Sequence, residues 1–104
     1  MINYGKQTLE PSDFKSVLKT LKAPFLTSGP KVKQFEKELL NKFGGNFCTV
    51  VNNGTAALYI LGKALGWKKG DNIITTPLSF LATANCIANN NANPDFADIE
   101  NKTF

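Results

Sequence analysis

The order of segments from residue 47 onwards constrains the fold of this chain more than any other feature. Short apolar runs at residues 47–51, 72–76 and 95–99 alternate with helical patterns at residues 54–65 and 79–90. Strands that alternate with helices at this spacing predict a parallel sheet with right-handed crossovers. The sequence therefore predicts an α/β fold, in which helices flank a parallel sheet.

Two amphipathic helices precede this β-α-β-α-β pattern. Pro11 suits the first turn of a helix, and it is followed at helical spacing by an apolar stripe, Phe14, Val17, Leu18 and Leu21. A second helical pattern runs over residues 31–43, and the glycines that follow it predict its end. We therefore divide the chain into an amino-terminal arm, residues 1–46, and a sheet-forming portion, residues 47–104.

The predicted sheet is too small to be a complete domain. Three strands leave both edges of the sheet and much of the apolar helix surface uncovered. The sequence of 104 residues stops just after the third predicted strand. We therefore expect this sequence to be an incomplete part of a larger domain.

Composition argues against several classes of protein and of site. The apolar stretches are far shorter than a membrane span, and the start lacks the apolar segment of a secretory signal, so we expect a cytoplasmic protein without membrane association. There is no histidine, and Cys48 and Cys86 lie outside any CxxC spacing, which argues against zinc and histidine-based nucleophile pairs. The net charge of +4 comes from scattered lysines without arginine, which favours solvated helix faces over a nucleic-acid site.

The most chemically suggestive segment is the turn between the first predicted strand and the helix after it. Asn53 and Gly54 form a tight turn, and Thr55 and Ala56 begin the helix. A helix start presents unpaired N–H groups at the carboxyl edge of a parallel sheet, where phosphates bind. Glycine permits close approach of a ligand, and the threonine adds a hydroxyl donor. The alternative is that Asn53 only caps an ordinary helix, since neither the P-loop nor the dinucleotide-binding glycine pattern is present.

The next strand-to-helix junction carries an aromatic side chain. Phe80 follows the second predicted strand closely, at the sheet edge where we also expect the turn that contains Thr55. Phosphate donors at one junction and a flat aromatic at the next suit a planar phosphorylated cofactor, because such rings stack. The alternative for Phe80 is a place in the hydrophobic core.

Five stretches of the chain, taken in order, carry a resemblance to a known family. They span nearly the whole chain and are residues 4–7, 26–30 with 35–36, 53–58, 70–77 with 80–85, and 94–99. They resemble the DegT/DnrJ/EryC1/StrS sugar aminotransferases, fold-type-I enzymes that use pyridoxal 5'-phosphate (PLP). The sequence of residues 75–85 looks most similar to one branch of the family, the UDP-4-amino-4,6-dideoxy-N-acetyl-altrosamine transaminases. That branch makes the 4-amino precursor of pseudaminic acid. The resemblance implies the amino-terminal part of the large PLP-binding domain.

The resemblance also implies roles for residues at matching positions. Gly54, Thr55 and Ala56 would form part of the cradle for the PLP phosphate, and Phe80 would stack on the pyridine ring. The site for a nucleotide-linked sugar would include Gly54 and a second set of residues, Tyr4, Pro24, Phe25, Leu26 and Thr27.

Members of the family join PLP as a Schiff base to a lysine that lies much further along the chain, and no lysine here matches that position. The resemblance therefore implies that these residues alone are inactive. The parent enzyme is expected to be a homodimer that transfers an amino group from an amino acid, with glutamate the expected donor, to a keto-deoxysugar nucleotide. Two rivals stay open. One is a PLP-dependent sugar dehydratase of the same fold, and the other is a non-catalytic phosphate-binding or interaction fragment.

Overall fold

Four helices and two strands form within residues 5–103, the part of the chain that the computed structural model describes. The chain divides into two units between Val50 and Val51. The first unit holds helix α1 at Pro11–Leu21 and helix α2 at Pro30–Phe43. The second unit holds four elements, which are helix α3 at Gly54–Ala64, strand β1 at Asn72–Thr75, helix α4 at Ala82–Asn89 and strand β2 at Asn93–Phe96.

The helices of the first unit begin and end where local chemistry predicts. Each has a proline in its first turn, and the backbone N–H of Glu10 donates to Oδ2 of Asp13 at 2.8 Å at the start of α1. Gly44 follows α2 with φ of +79°, in the region that glycine adopts most readily. Its N–H donates to the carbonyl oxygen of Leu40 at 2.8 Å. The predicted glycine stop is therefore confirmed.

The loop between α1 and α2 folds closely on itself. Gly29 is buried, and a Cβ atom at this position would lie 2.8 Å from the carbonyl oxygen of Phe25. A side chain at residue 29 would therefore push the loop open. The side chains of Phe25 and Leu26 remain exposed.

The prediction of a strand at residues 47–51 is wrong, because no strand forms there in the structure. The N–H of Val50 donates to Oε1 of Glu36, on α2, at 3.1 Å. The side chain of Phe47 is 95% exposed. A run of β-branched residues favours a strand only where a neighbouring strand offers a ladder of hydrogen bonds. No such neighbour for this segment is present among residues 5–103.

The second unit is built on a parallel pair of strands, as the sequence predicts. The register places Asn72 opposite Asn93 and Thr75 opposite Phe96. Strand β2 spans Asn93–Phe96, whereas the sequence predicted a turn at residues 91–94 and a strand at residues 95–99. Pro94 lies within the strand opposite Ile73. A proline is tolerated there because β2 is an edge strand of this two-stranded sheet, where one side of the backbone needs no donor.

Helix α4 covers the sheet and supplies most of the core. Its buried residues Cys86 and Ile87, together with Ala92, pack against the partly buried set Leu58, Trp67 and Ile73. The helix begins at Ala82, later than the predicted start at residue 79. The lead-in bends because the hydroxyl of Thr76 accepts the N–H of Leu78 at 3.2 Å. Local hydrogen bonds of this kind compete with helix formation.

Much apolar surface stays uncovered within the described residues. On α1 the whole predicted stripe is more than half exposed, namely Phe14, Val17, Leu18 and Leu21. Leu61 on α3 and Leu65, which follows that helix, are exposed as well. No helix within residues 5–103 is long and apolar enough to cross a bilayer. In the same range, no cluster of His, Cys, Asp and Glu side chains is placed to hold a metal ion.

Candidate functional site

Asn53 directly precedes α3 and caps the helix with its side chain. Its Oδ1 accepts the backbone N–H of Ala56 at 2.8 Å, while its own backbone is extended. A helix has four first-turn amides without an intrahelical acceptor, and this cap satisfies one of them. The amides of Gly54 and Thr55 are two of the others, so the start of α3 retains hydrogen-bond donors. The capping interpretation of Asn53 is therefore confirmed, and the cap leaves donors available for a ligand.

Open space lies beside Gly54. A Cβ atom built on this glycine would meet no atom within 4 Å. Packing among residues 5–103 therefore does not require a glycine at residue 54. The missing side chain leaves the backbone at Gly54 open to close approach.

The start of α3 forms one wall of an open depression of about 600 Å³. The residues that line it are Asn53, Thr55, Ala56, Tyr59 and Asn89. None of them carries a charge, so no carboxylate opposes an anion, and the partial positive charge at a helix start attracts one. The depression thus combines the hydroxyl and the backbone N–H of Thr55 with the partial positive charge of the helix start.

Two residues of this depression, Tyr59 and Asn89, were not selected from the sequence. Tyr59 lies one helical turn after Thr55, so the helical period was a usable signal for it. The Nζ atom of Lys63 lies 5.6 Å from the centre of the Tyr59 ring, which brings a positive charge to that aromatic. Asn89 comes from the end of α4, and no local pattern in the sequence points to it.

Phe80 lines a second and smaller depression, of about 230 Å³, after the end of β1. Its side chain is 78% exposed, so it is not part of the described core. The ring shares this depression with Phe96, at the end of β2, which sequence reasoning did not select. The two depressions have no lining residue in common. The structure therefore brings Phe80 together with Phe96, and stacking of Phe80 on a cofactor stays a prediction.

The residues predicted to contact a sugar belong to the first unit or lie outside the described residues. Pro24, Phe25, Leu26 and Thr27 lie in the loop between α1 and α2, where all four are exposed. Tyr4 lies outside residues 5–103. Their role in sugar binding stays a prediction.

Comparison with known proteins gives the context for these sites. The sequence pattern of the DegT/DnrJ/EryC1/StrS aminotransferase family matches residues 7–104. The spore coat polysaccharide biosynthesis protein SpsC of Bacillus subtilis is 42% identical over 97% of this chain, which covers 26% of that protein. A UDP-4-amino-4,6-dideoxy-N-acetyl-beta-L-altrosamine transaminase of Campylobacter jejuni is 41% identical over 97% of this chain and 27% of its own length. The chain thus spans about a quarter of the length of the curated relatives that it matches.

Solved structures show the same likeness in three dimensions. Helicobacter pylori PseC, an aminotransferase involved in the biosynthesis of pseudoaminic acid, matches with a TM-score of 0.88 and 37% identity, over 95% of this chain and 27% of PseC. The GDP-4-keto-6-deoxy-D-mannose-3-dehydratase of E. coli, solved with bound hydrated PLP, gives 0.85 and 29%, over 96% of this chain and 28% of that one. The predicted α/β architecture of fold-type-I PLP enzymes is therefore confirmed, over about a quarter of their length.

Proposed function

Because this chain belongs to the DegT/DnrJ/EryC1/StrS aminotransferase family, we propose that it forms part of the cofactor site of a PLP-dependent nucleotide-sugar aminotransferase. The parent enzyme transfers an amino group from an amino acid, which we propose to be glutamate, to the keto carbon of a nucleotide-linked deoxysugar. Its lysine for covalent attachment of PLP lies outside residues 1–104. We further propose that the parent enzyme is a cytoplasmic homodimer.

The observation that carries this proposal is the uncharged depression at the start of α3. The hydroxyl of Thr55 and the open space beside Gly54 suit a phosphate group. A phosphate dianion needs several donors and no nearby carboxylate, and both conditions are met here. The described residues therefore fit the phosphate end of PLP.

Each residue of this region has a separate task in the proposed site. The backbone N–H groups of Gly54 and Thr55 and the hydroxyl of Thr55 bind the phosphate. The N–H of Ala56 is paired with Asn53, so it joins the phosphate only if the cap opens. Phe80, which lines the second depression, would stack on the ring and orient it. When bound, PLP would supply an aldehyde group that carries the amino group between the two substrates and a ring that accepts electrons during the transfer.

We place the nucleotide-linked sugar on a second group of residues. They are Tyr4, Pro24, Phe25, Leu26 and Thr27, together with Gly54, which belongs to the proposed phosphate turn at residues 53–56. Exposed aromatic and aliphatic side chains such as Phe25 and Leu26 provide apolar surface for the base or the deoxysugar. The hydroxyl of Thr27 provides a polar contact that orients the ligand.

A PLP-dependent sugar dehydratase is the second candidate. The structural likeness to the E. coli dehydratase supports it, because that enzyme shares the same fold over the region that this chain covers. The described residues contribute phosphate and ring contacts in either case. A non-catalytic phosphate-binding fragment is the third candidate and predicts phosphate binding without turnover by the parent protein.

Titration of the full-length protein with PLP tests the proposal. We expect a visible absorbance band at roughly 400–430 nm from lysine-bound cofactor, and residues 1–104 alone should not produce it. Thr55→Val is the matched variant, since it keeps the shape of the side chain and removes the hydroxyl. It should weaken binding of PLP but not of pyridoxal, which lacks the phosphate. If the full-length protein forms no such band, the proposed function is wrong.

The product of the full-length protein separates the two enzymatic candidates. With glutamate and a keto-deoxysugar nucleotide, an aminotransferase yields a sugar that has gained an amino nitrogen. A dehydratase yields a sugar that has lost a hydroxyl group. Mass spectrometry of the product distinguishes these outcomes, and the absence of either product favours the non-catalytic candidate.

A further inference from the structure

Asn90 is the most deeply buried polar residue of the second unit, with 1% of its surface exposed. Its side-chain Nδ2 donates to the carbonyl oxygen of Tyr59, on α3, at 3.1 Å. The same nitrogen donates to the carbonyl oxygen of Cys86, on α4, at 2.7 Å. A single amide group therefore bridges the backbones of two helices that pack directly against each other.

Gly62 makes the space that Asn90 occupies. A Cβ atom on Gly62 would overlap the side-chain amide nitrogen of Asn90 and would lie 2.7 Å from Cε3 of Trp67. Since Gly62 lies within α3, the missing side chain leaves a notch in the surface of that helix. The amide of Asn90 fills this notch. The pair therefore interlocks α3 with α4 by shape as well as by hydrogen bonds.

The backbone around Asn90 is held just as closely. Its N–H donates to the carbonyl oxygen of Ile87 at 3.0 Å, and the N–H of Ala92 donates to that same oxygen at 3.2 Å. Asn91 takes a positive φ of 63° between them, which turns the chain into β2. Asn90 therefore has little freedom to move without displacing the end of α4 and the start of the strand.

Filling the notch with an amide side chain lowers the stability of the fold. The buried Oδ1 of Asn90 has no hydrogen-bond partner among residues 5–103. An unpaired buried acceptor destabilises a fold, while an apolar side chain of similar size avoids that loss. Buried polar groups of this kind fix one relative placement of their neighbours, because only that placement satisfies the donors. The two N–H donations of Asn90 thus favour one register of α4 against α3.

We propose that Asn90 is a positioning residue. It sets the distance between the phosphate turn, which contains Thr55, and the aromatic ring of Phe80. The inference rests on the proposed function. Thr55 lies in the first turn of α3, and Phe80 lies just before α4. A slide of one helix along the other therefore changes the distance between phosphate donors and ring. A bound PLP needs both within a limited separation, because a short phosphate-ester linkage joins its phosphate to its ring.

The interlock itself is tested without cofactor. The full-length protein is prepared with Gly62→Ala, with Asn90→Ala and with both changes, and the thermal midpoint of each is measured. Gly62→Ala crowds Asn90, so the added methyl group should be less harmful once the asparagine is shortened. The double variant should lose less in Tm than the sum of the two single losses. Additive losses in Tm would show that Gly62 and Asn90 do not interlock the two helices.

The positioning role is tested with PLP and a matched control. Ile87→Val removes one methyl group from the same core but leaves the amide bridge in place. Affinity for PLP and the circular dichroism of the bound cofactor are measured at temperatures equally far below each Tm. Asn90→Ala and Gly62→Ala should weaken PLP binding by roughly tenfold, since misplaced groups lose much of their joint effect, and should change the dichroism. Ile87→Val should leave both unchanged.

The outcomes separate this inference from the proposed function. Equal loss of PLP affinity in Asn90→Ala and Ile87→Val, with unchanged dichroism, would show a purely structural role and would overturn the positioning role. Failure of the unaltered full-length protein to bind PLP would remove the proposed function and the positioning role together. The Tm measurements still decide on the interlock in that case, because they use no cofactor.

Discussion

The side chain of Asn53 accepts a hydrogen bond from the backbone N–H of Ala56, with 2.8 Å between Oδ1 and the nitrogen. This bond occupies the amide of a residue that the family resemblance assigns to the PLP phosphate. A bound phosphate must either share the first turn of α3 with Asn53 or displace its side chain. Capping and the proposed phosphate binding therefore compete for the amide of Ala56, whereas the cap leaves the amides of Gly54 and Thr55 available.

The first prediction concerns the charge of this cap. Asn53→Ala removes the acceptor and should destabilise the fold by about 1 kcal/mol. Asn53→Asp keeps the acceptor and should preserve Tm, but its carboxylate repels a phosphate dianion. It should weaken PLP binding by roughly tenfold, which corresponds to about 1.4 kcal/mol. Thermal unfolding and PLP titration of the full-length protein measure both effects. Unchanged PLP affinity in Asn53→Asp would mean that the phosphate binds elsewhere.

The second prediction concerns the open space beside Gly54. Gly54→Ala should leave Tm unchanged or slightly higher, because alanine favours a helix and its Cβ meets no atom within 4 Å. The same methyl group should weaken PLP binding by filling the space for the phosphate. Ala57→Val is the control, since this exposed residue of the same turn does not line the depression. If the two variants bind PLP equally well, close approach to Gly54 is not required.

The third prediction concerns the aromatic ring before α4. Phe80→Leu should change Tm little, because the side chain is 78% exposed. It should weaken binding of PLP and of pyridoxal alike, by about two- to tenfold, because stacking contributes roughly 0.5–1.5 kcal/mol. Thr55→Val should affect PLP alone. Leu78→Ala, in the same loop, is the control. Normal pyridoxal binding by Phe80→Leu would rule out stacking.

The fourth prediction concerns pH. Hydrogen bonds from the N–H of Lys102 and from the N–H and hydroxyl of Thr103 lower the pKa of Glu100 below its ordinary value, because they favour the ionised carboxylate. The folded pKa lies below the unfolded one, so the turn is stabilised above the unfolded pKa and loses that stabilisation as pH falls through the folded pKa. NMR titration should show the amides of residues 102 and 103 shifting with this carboxyl.

Two variants serve as checks on the turn at Glu100. Thr103→Val removes the hydroxyl donor and should raise the pKa of Glu100 part of the way towards its ordinary value. Glu100→Gln cannot ionise, so the two amides should no longer shift over that pH range. A pKa for Glu100 at the ordinary value in the unaltered protein would contradict the structure of this turn.

The helices were predictable from local signals, and the strands only in part. The helical pattern and the terminal residues of α1 and α2 predict their bounds closely, since prolines and Gly44 act within one turn of the helix ends. The run at residues 47–51 has the composition of a strand but forms none. Strand β2 begins at Asn93, before the predicted start. A strand depends on its neighbour in space, and composition does not encode that neighbour.

The residues of the candidate site were likewise predictable only where the signal lies within a short stretch of sequence. The turn at Gly54, Thr55 and Ala56 was predicted because its chemistry lies within a few consecutive residues. Tyr59 was open to prediction from the helical period, whereas Asn89 was not, since it reaches the depression from another helix. The pairing of Phe80 with Phe96 depends on the register of two parallel strands.

By itself the sequence determined the capped turn at Asn53, the helix that follows it, the parallel strand pair and the family. These features follow from interactions between near neighbours and from motifs in a fixed order. Only the tertiary structure decided that Gly62 makes room for Asn90, whose amide reaches Tyr59 across a separation of 31 residues. It also placed Thr55 and Phe80 in separate depressions. Both outcomes depend on how helices and strands pack, which no local pattern specifies.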